Sequence, residues 1–596
     1  MTVIKQDIEK LVRRRRIVLR VRESASLLNE KLKSVRIIIF FFVFLIVAFL
    51  SLAGRCFYLQ FLKSDYYIAA CARQQQGRII QMPQRGVILD CRGRVLAASN
   101  RSQTIFAEPR VIKDPKTTST RLAPILDMGA HEVCKLITDS KNPGFAKIRV
   151  GADADQCSAA AKIYGIGVQS DWRRHYPVGS LAAHIVGFTS VDNRGLGGIE
   201  LQYDKELGGS SGQDIFFADA SRRPIRLKQQ NGIVSDGVGI ILTLDATIQQ
   251  FARAELMKQY RSYQAESAVS IVADAKTGAI LALVSLPDFD PNNIRSADLD
   301  HFRNRAITDQ FEPGSIIKPI IVACAIDANA VRQDEKIFCE EGSYHGKGFG
   351  SIGEYGGHRY GSLTVGEVLT FSSNIGMAKI GQKLGKNKLY NGMKRFGFGK
   401  ETGLELPGEA EGFLPPLQSW TGYSVTRIPF GQEISVTAIQ LVRAFCILSS
   451  GGRSVRPFLV RAIVDNNGKI IELRQPPPSA GFVIKPEVAK WIVTDALVGV
   501  VNEGTGKSAK LEKWQVFGKT GTANIARSDR RGYSETDFIA SFIAGAPAED
   551  PKVLVLVSIR KPNVALGKGY TGGTVAAPVA AGILEKTLNY LEKHQQ

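Results

Sequence analysis

Between positions 37 and 54 the chain carries no charged residue, and about 18 residues rising about 1.5 Å each span about 27 Å, close to a bilayer core. This pattern predicts one transmembrane helix over residues 37–55. From Cys56 to about Ile233 the apolar positions come in short strand-like pieces broken by turns, which predicts an irregular, mostly β module without a long periodic helix. A second regime opens near Gly237. There G-I-I-L-T-L reads as a strand, Asp245 as the cap of the helix T-I-Q-Q-F-A-R-A-E-L, and A-V-S-I-V-A-D with A-I-L-A-L-V-S as a hairpin turning at A-K-T-G. The run F-E-P-G-S-I-I-K-P-I-I-V-A-C-A-I is apolar enough for a buried helix, and a glycine-rich, helical middle section follows. Then come three strands, W-Q-V-F-G-K-T-G-T-A, F-I-A-S-F-I-A-G and K-V-L-V-L-V-S-I, and a final helix over about 575–591. Strands at both ends with helices between them predict one α/β domain whose sheet is assembled from distant segments.

Length changes this picture little: 596 residues imply two or three domains. Charge changes it more. The net charge of +21 could suit nucleic acid, yet no zinc-finger spacing, RNA-binding signature or basic and aromatic run accompanies it, so nucleic acid is not an expected partner. Much of the excess lies before Arg36, in Lys10, Arg13, Arg14, Arg15, Arg16, Arg20, Arg22, Lys31 and Lys33. By the positive-inside rule this places residues 1–36 in the cytoplasm and everything after about Arg55 outside, on an uncleaved, single-pass anchor in the cytoplasmic membrane. L-A-G-R-C (52–56) is not a lipoprotein site, because Arg55 separates glycine from cysteine. The eight cysteines lack C-x-x-C spacing and a histidine cluster, so no metal site is implied. Some could pair outside the cytoplasm, with Cys324 a core thiol.

Two polar residues interrupt the apolar helix. Ser315 and Lys318, three apart, share a helix face, which brings hydroxyl and amine within hydrogen-bond reach. Burial favours the neutral amine, and a neutral lysine can take a proton from serine, so the pair could be nucleophile and base of an acyl transfer. Ser558 and Lys561 repeat the spacing, but they follow a strand pattern that sends them to opposite faces, so this copy is inert. Ser372-Ser373-Asn374 precedes a helical segment and, taken alone, reads as a cap. Lys519-Thr520-Gly521 lies in a strand, where glycine admits another backbone, lysine supplies charge and threonine can bond a carboxylate. A second Lys-Thr-Gly, at Lys276, is explained by its hairpin turn.

Ser-x-x-Lys, Ser-x-Asn and Lys-Thr-Gly in this order are the set found in penicillin-binding proteins and active-site-serine β-lactamases. From about Arg85 to Leu591 the chain resembles the class B penicillin-binding proteins, and most closely their cell-division D,D-transpeptidases. R-N-R-A-I-T-D-Q-F-E-P-G-S-I-I-K-P (303–319) carries most of the resemblance, with P-N-N at Pro291, K-T-G-T-A, Gly572-Gly573 and Ala577-Pro578. In the outer module R-G-V-I-L-D, Y-P-V-G, A-H-I-V-G-F-T and G-G-I-E also match. The resemblance implies an α+β transpeptidase domain over 234–596, its antiparallel sheet flanked by helices as in serine β-lactamases. Before it would come a pedestal (dimerisation-type) domain over 56–233.

It further implies that Ser315 is the nucleophile and Lys318 its base, with Ser372 and Asn374 completing a proton relay and Lys519, Thr520, Gly521 and Thr522 binding the substrate's carboxylate. The backbone N–H groups of Ser315 and Thr522 would form the oxyanion hole. The implied substrate is the D-alanyl-D-alanine end of a peptidoglycan stem peptide, the inhibitors are β-lactams, and no metal or organic cofactor is required. Expected partners are a polytopic glycosyltransferase of the FtsW kind and other division proteins. The septal assignment rests on overall resemblance; a side-wall transpeptidase, a β-lactam sensor and a divisome scaffold are the alternatives. No additional C-terminal module is expected. Two positions depart from the pattern. Asp90 is followed by Cys91 before Arg92, which puts the ion pair at that corner in question. Glu433 replaces a common glycine, as a solvated loop residue or as a carboxylate that could activate water.

Overall fold

The structure, a computed structural model, describes residues 2–218, 224–231, 234–474, 476, 480–527 and 532–594. It divides into two compact units, Met1–Gln81 with Gly212–Gly232, and Met82–Ser211 with Ile233–Gln596. The expected boundary at residue 233 lies outside the described residues.

In the first unit one helix runs without a break over Thr2–Phe57. The apolar stretch Leu28–Leu62, which continues this helix through a π-turn over Tyr58–Leu62, reaches a mean hydropathy of 3.0 and is unburied, and its length and composition fit a single-pass membrane anchor. The expected span of 37–55 lies inside it. Three antiparallel strands, Gln76–Gln81, Gly212–Ala218 and Pro224–Asn231, form the sheet of this unit.

The second unit is built on two sheets. Five antiparallel strands stand in the order Ile280–Leu286, Ser267–Asp274, Val553–Arg560, Tyr533–Ala546, Phe517–Ala526. The V-L-V-L-V run lies at its centre, covered on both faces, which is why alternation is invisible in it. Val553, Val555 and Val557 pack with Ile248, Leu256, Ile583 and Leu584 from the Ala246–Ser262 and Ala577–Lys593 helices. Leu554 and Leu556 face the opposite way, into the larger core that holds Ile320, Ile321 and Leu441 from the Lys318–Asp327 and Ala438–Ser449 helices. Burying such a side chain contributes about 1.5–3 kcal/mol, so this double-sided packing fixes the strand that carries Lys519.

The second sheet joins segments far apart in sequence. Its order is Ile470–Leu473, Val460–Val464, Gly239–Leu242, Ile88–Leu89, Val95–Ala107, Ala146–Ala152, with Ile166–His175 also on Val95–Ala107. Helices Pro115–Leu126 and Ala130–Thr138 cover its outer part through Leu122, Leu126, Val133 and Ile137. Both are short, and the first is rich in threonine and serine, so its periodicity is faint. The better signal is Asp114-Pro115: the Asp114 carboxylate caps Lys116 N and Thr117 N, and proline occupies the first turn.

Charged residues from three outer-module motifs meet in the interior. Glu200 accepts from Arg85 Nε at 2.5 Å and Arg174 Nε at 2.6 Å, and all three are almost wholly buried. Arg85 also reaches Asp204 at 2.7 Å and the Glu200 carbonyl at 2.7 Å. The Asp90 corner is paired despite the inserted Cys91. Arg94 bonds Asp90 at 2.6 Å, while Arg92 and Arg94 hold Asp245 at 2.8 and 2.5 Å. All eight cysteines are free thiols, and burial pushes Cys324 up to about 12.

Candidate active site

The segment Glu312-Pro313-Gly314-Ser315 enters its helix through a tight turn. Gly314 has φ +53, and residues Gly314–Ile317 form one 3₁₀ turn before the α-helix Lys318–Asp327, which has proline in its first turn. A 3₁₀ turn eclipses residues three apart, so Ser315 and Lys318 lie on one side for a reason stronger than an α-helical face. Two glycines admit this turn. An added Cβ at Gly521 would lie 2.8 Å from Ile316 Cγ1, and one at Gly431 would lie 2.2 Å from the Gly314 carbonyl. The Phe517–Ala526 strand therefore runs against the start of the Ser315 helix, and the two frame a cleft of ≈ 500 Å³. Ser315, Ser372, Asn374, Thr520 and Thr522 line it.

Lys318 and Lys519 are both fully buried. Lys318 Nζ donates to the Ser372 carbonyl at 2.6 Å, Asn374 Oδ1 at 2.8 Å and Ser372 Oγ at 3.2 Å. Lys519 Nζ donates to the same Ser372 Oγ at 2.9 Å and more weakly to Thr520 O and Oγ1, each at 3.4 Å. Ser372 thus bridges two amines, and its backbone adopts φ +60, a conformation that costs a non-glycine residue on the order of 1 kcal/mol. Removal from water pushes Lys318 down to about 7, against a partial opposing pull from Glu354. Lys519 is driven well below the usual lysine range, first by burial and then by the Lys318 charge. Near neutral pH such a site favours a neutral amine able to accept a proton.

The expected direct hydrogen bond between Ser315 and Lys318 is not formed. Three oxygens of the Ser372-x-Asn374 segment hold Nζ instead, and among the described residues Ser315 Oγ has no hydrogen-bond partner. Ser373 is the helix cap the sequence suggests, accepting from Gly376 N. Thr522 lies where the strand crosses the turn, and its Oγ1 accepts from Gly572 N at 3.1 Å. The second copies are elsewhere: Asp274 closes the turn at Lys276-Thr277, and Ser558 is buried against Ser541 while Lys561 pairs with Glu266.

The family model described as the penicillin binding protein transpeptidase domain matches residues 268–585, and that of the penicillin-binding protein dimerisation domain matches residues 80–240. The chain belongs to the penicillin-binding protein transpeptidases. This penicillin-binding protein is 34% identical over 566 residues to stage V sporulation protein D of Bacillus subtilis (strain 168), covering 92% of this chain and 85% of the relative. It is 30% identical over 553 residues to the peptidoglycan D,D-transpeptidase FtsI of Escherichia coli (strain K12), covering 91% and 89%. A crystal structure of a peptidoglycan synthetase from Bifidobacterium adolescentis superposes with a TM-score of 0.70 at 25% identity, over 87% of this chain and 97% of that one. As a member of this family the chain is a serine-type transpeptidase of peptidoglycan and a target of β-lactams.

Several cleft residues of this penicillin-binding protein escape sequence reasoning. Thr505 Oγ1 lies 2.6 Å from Thr520 Oγ1. Tyr533 donates to both oxygens of Glu312, at 3.0 and 2.9 Å. Glu354 lies against Ser373 and Asn374. Thr505, Tyr533 and Glu354 sit in no recognisable motif and arrive from distant parts of the chain, while Glu312 lies in the 303–319 stretch with no pattern that singles it out. Glu433 has φ +65, the conformation glycine adopts freely, which fits the glycine that the family pattern leads one to expect here. It is half-buried, its N–H donates to Glu312 at 3.1 Å, and it does not line the cleft.

Proposed function

We propose that the chain cross-links stem peptides of septal peptidoglycan through an acyl-enzyme on Ser315. The observation that carries this is the meeting, in one cleft, of Ser315 with Ser372, whose hydroxyl bridges two lysines buried behind it. Ser315 Oγ attacks the carbonyl of the penultimate D-alanine, and its proton passes to neutral Lys318. The C–N bond breaks, and the terminal D-alanine leaves with a proton returned through Lys318 and Ser372. An amine of a second stem then attacks the ester, a new C–N bond forms, and the Ser315 hydroxyl is restored.

Asn374 positions the substrate amide, while Lys519, Thr520, Gly521 and Thr522 receive the terminal carboxylate. The N–H groups of Ser315 and Thr522 form the oxyanion hole, each such donor stabilising the transition state by about 3 kcal/mol. The close approach of Gly521 to Ile316, with Ser315 and Thr522 both lining the cleft, supports this assignment. A β-lactam follows the first half of the path and is retained as a stable ester.

Residues 1–36 form the cytoplasmic tail, 37–55 the span, 56–233 the pedestal and 234–596 the transpeptidase domain, a division supported by the matches at 80–240 and 268–585. The charge asymmetry about the span supports a cytoplasmic N-terminus with catalysis outside. An FtsW-type glycosyltransferase, which would supply the glycan strands, is the expected membrane partner. A second reading, wall synthesis during sporulation, is favoured by the 34% identity with stage V sporulation protein D. Depletion separates the roles: filaments support septal use, rounded cells a side-wall role, and loss of spores alone the second reading.

The chemistry is tested with a fluorescent penicillin on the detergent-solubilised full chain. Wild type is labelled covalently and slowly released, and Ser315→Ala is not labelled. An unlabelled wild type, or label retained on Ser315→Ala, overturns the assignment.

A further inference from the structure

Glu354 follows the Gly350–Gly353 strand, and its carboxylate meets the first residues of the Asn374–Leu384 helix. Oε2 accepts from Asn374 N at 2.7 Å, and Oε1 accepts from Ile375 N at 3.3 Å and from the Ser373 hydroxyl. Ser373 is wholly buried and caps Gly376 N, so the acid holds the cap that starts this helix. The preceding residue acts on the same group: Asn374 Nδ2 donates to the Gly353 carbonyl at 3.2 Å. With Nδ2 committed there, Oδ1 is the amide atom left to face Lys318 Nζ, 2.8 Å away.

An anion at the first turn of an 11-residue helix is favoured by its free N–H groups. Three donors converging on one carboxylate satisfy it with little freedom to move. Glu354 also lines the cleft, so the charge lies within the site as well as beneath it.

We infer that Glu354 is a positioning residue for acylation: it locks Ser372-x-Asn374 against Lys318 and supplies the negative charge that faces this lysine inside the cleft. The inference rests on the transpeptidase reading above and deepens it. The other charged or titratable groups around this corner are Lys519 from the neighbouring strand, Cys339 hydrogen-bonded to Ser373, and Glu312, Tyr355, His358, Tyr360 and Glu503, which line the same cleft. Glu354 is the one whose charge favours the ammonium form of Lys318.

Glu354→Gln keeps the shape but loses the charge, and turns one acceptor oxygen into a donor facing Asn374 N–H. Stopped-flow acylation by a fluorescent penicillin across pH, on the solubilised full chain, is expected to show two changes. The plateau rate falls on the order of tenfold or more. The acid limb, set by Lys318, moves to lower pH, because the ammonium has lost its counter-charge. Loss of a merely structural contact lowers the active fraction and leaves the limb in place, so an unmoved limb overturns the inference, as does a wild-type rate. Glu354→Asp keeps the charge on a shorter arm and is expected to lower the plateau rate at an undiminished labelling amplitude, with the limb unmoved, whereas a structural loss lowers the amplitude; this outcome carries the test if the glutamine variant does not melt cooperatively. An aspartate variant that acylates as wild type overturns the inference. Failure of the transpeptidase reading shows differently, as wild type that takes no label.

Discussion

Ser315, Lys318, Ser372, Asn374 and Lys519 are spread over more than two hundred positions, yet their chemistry is visible in the sequence because Ser315 and Lys318 interrupt an apolar run and the three motifs follow in a fixed order. A lysine inside an apolar helix demands a reason. Its protonation gives the pH prediction. The charged form of Lys318 is disfavoured in the folded protein, so its cost is complete below about 7 and fades as pH rises from there toward 10.5, the value of a free lysine. Two consequences follow: stability contributed through this group rises over that interval, and acylation falls as pH drops through about 7. A rate measured from pH 5 to 9 that stays flat below 7 shows that Lys318 is not the base. Glu354 and Thr505 were illegible for the complementary reason. A glutamate in a glycine-rich, exposed loop is ordinary in sequence, and only the return of residues 350–354 onto the helix at Asn374 makes it part of a site.

At the scale of elements, strands with two covered faces and helices with clear caps were readable, and pairings were not. Asp245 caps the Ala246–Ser262 helix, and the A-K-T-G hairpin forms where its turn residues place it. The Ser315 run, expected as one helix, opens as a 3₁₀ turn because Gly314 takes a positive φ and Gly431 crowds its carbonyl. In the outer module Arg85 of R-G-V-I-L-D and Arg174, just before Y-P-V-G, converge on Glu200 of G-G-I-E, a pairing that no local pattern predicts. Glu200→Ala leaves Arg85 and Arg174 buried without their shared partner, so it should cost about 3–5 kcal/mol. Urea denaturation measures it, and a loss under about 1 kcal/mol would mean the network is replaceable.

The whole second unit depends on a sheet that no local pattern announces. Ile88–Leu89 runs parallel to Ile240–Ile241, and Val460–Val464 lies on the other side of that same strand. Residues 234–596 produced alone would leave the Gly239–Leu242 strand with an open edge of unpaired N–H and C=O groups. Such a fragment should melt at a lower temperature and self-associate more than residues 82–596, by scanning calorimetry and light scattering; equal behaviour would show that the shared sheet adds nothing. Because residues 88, 240 and 463 are neighbours in one sheet, a nascent chain that has emerged only as far as the outer module cannot complete it. Ile88 must wait, unpaired on one side, until ribosomes have added well over a hundred further residues. The order of synthesis therefore leaves an early intermediate in need of shielding, and it ties the maturation of the catalytic half to that of the segment made first.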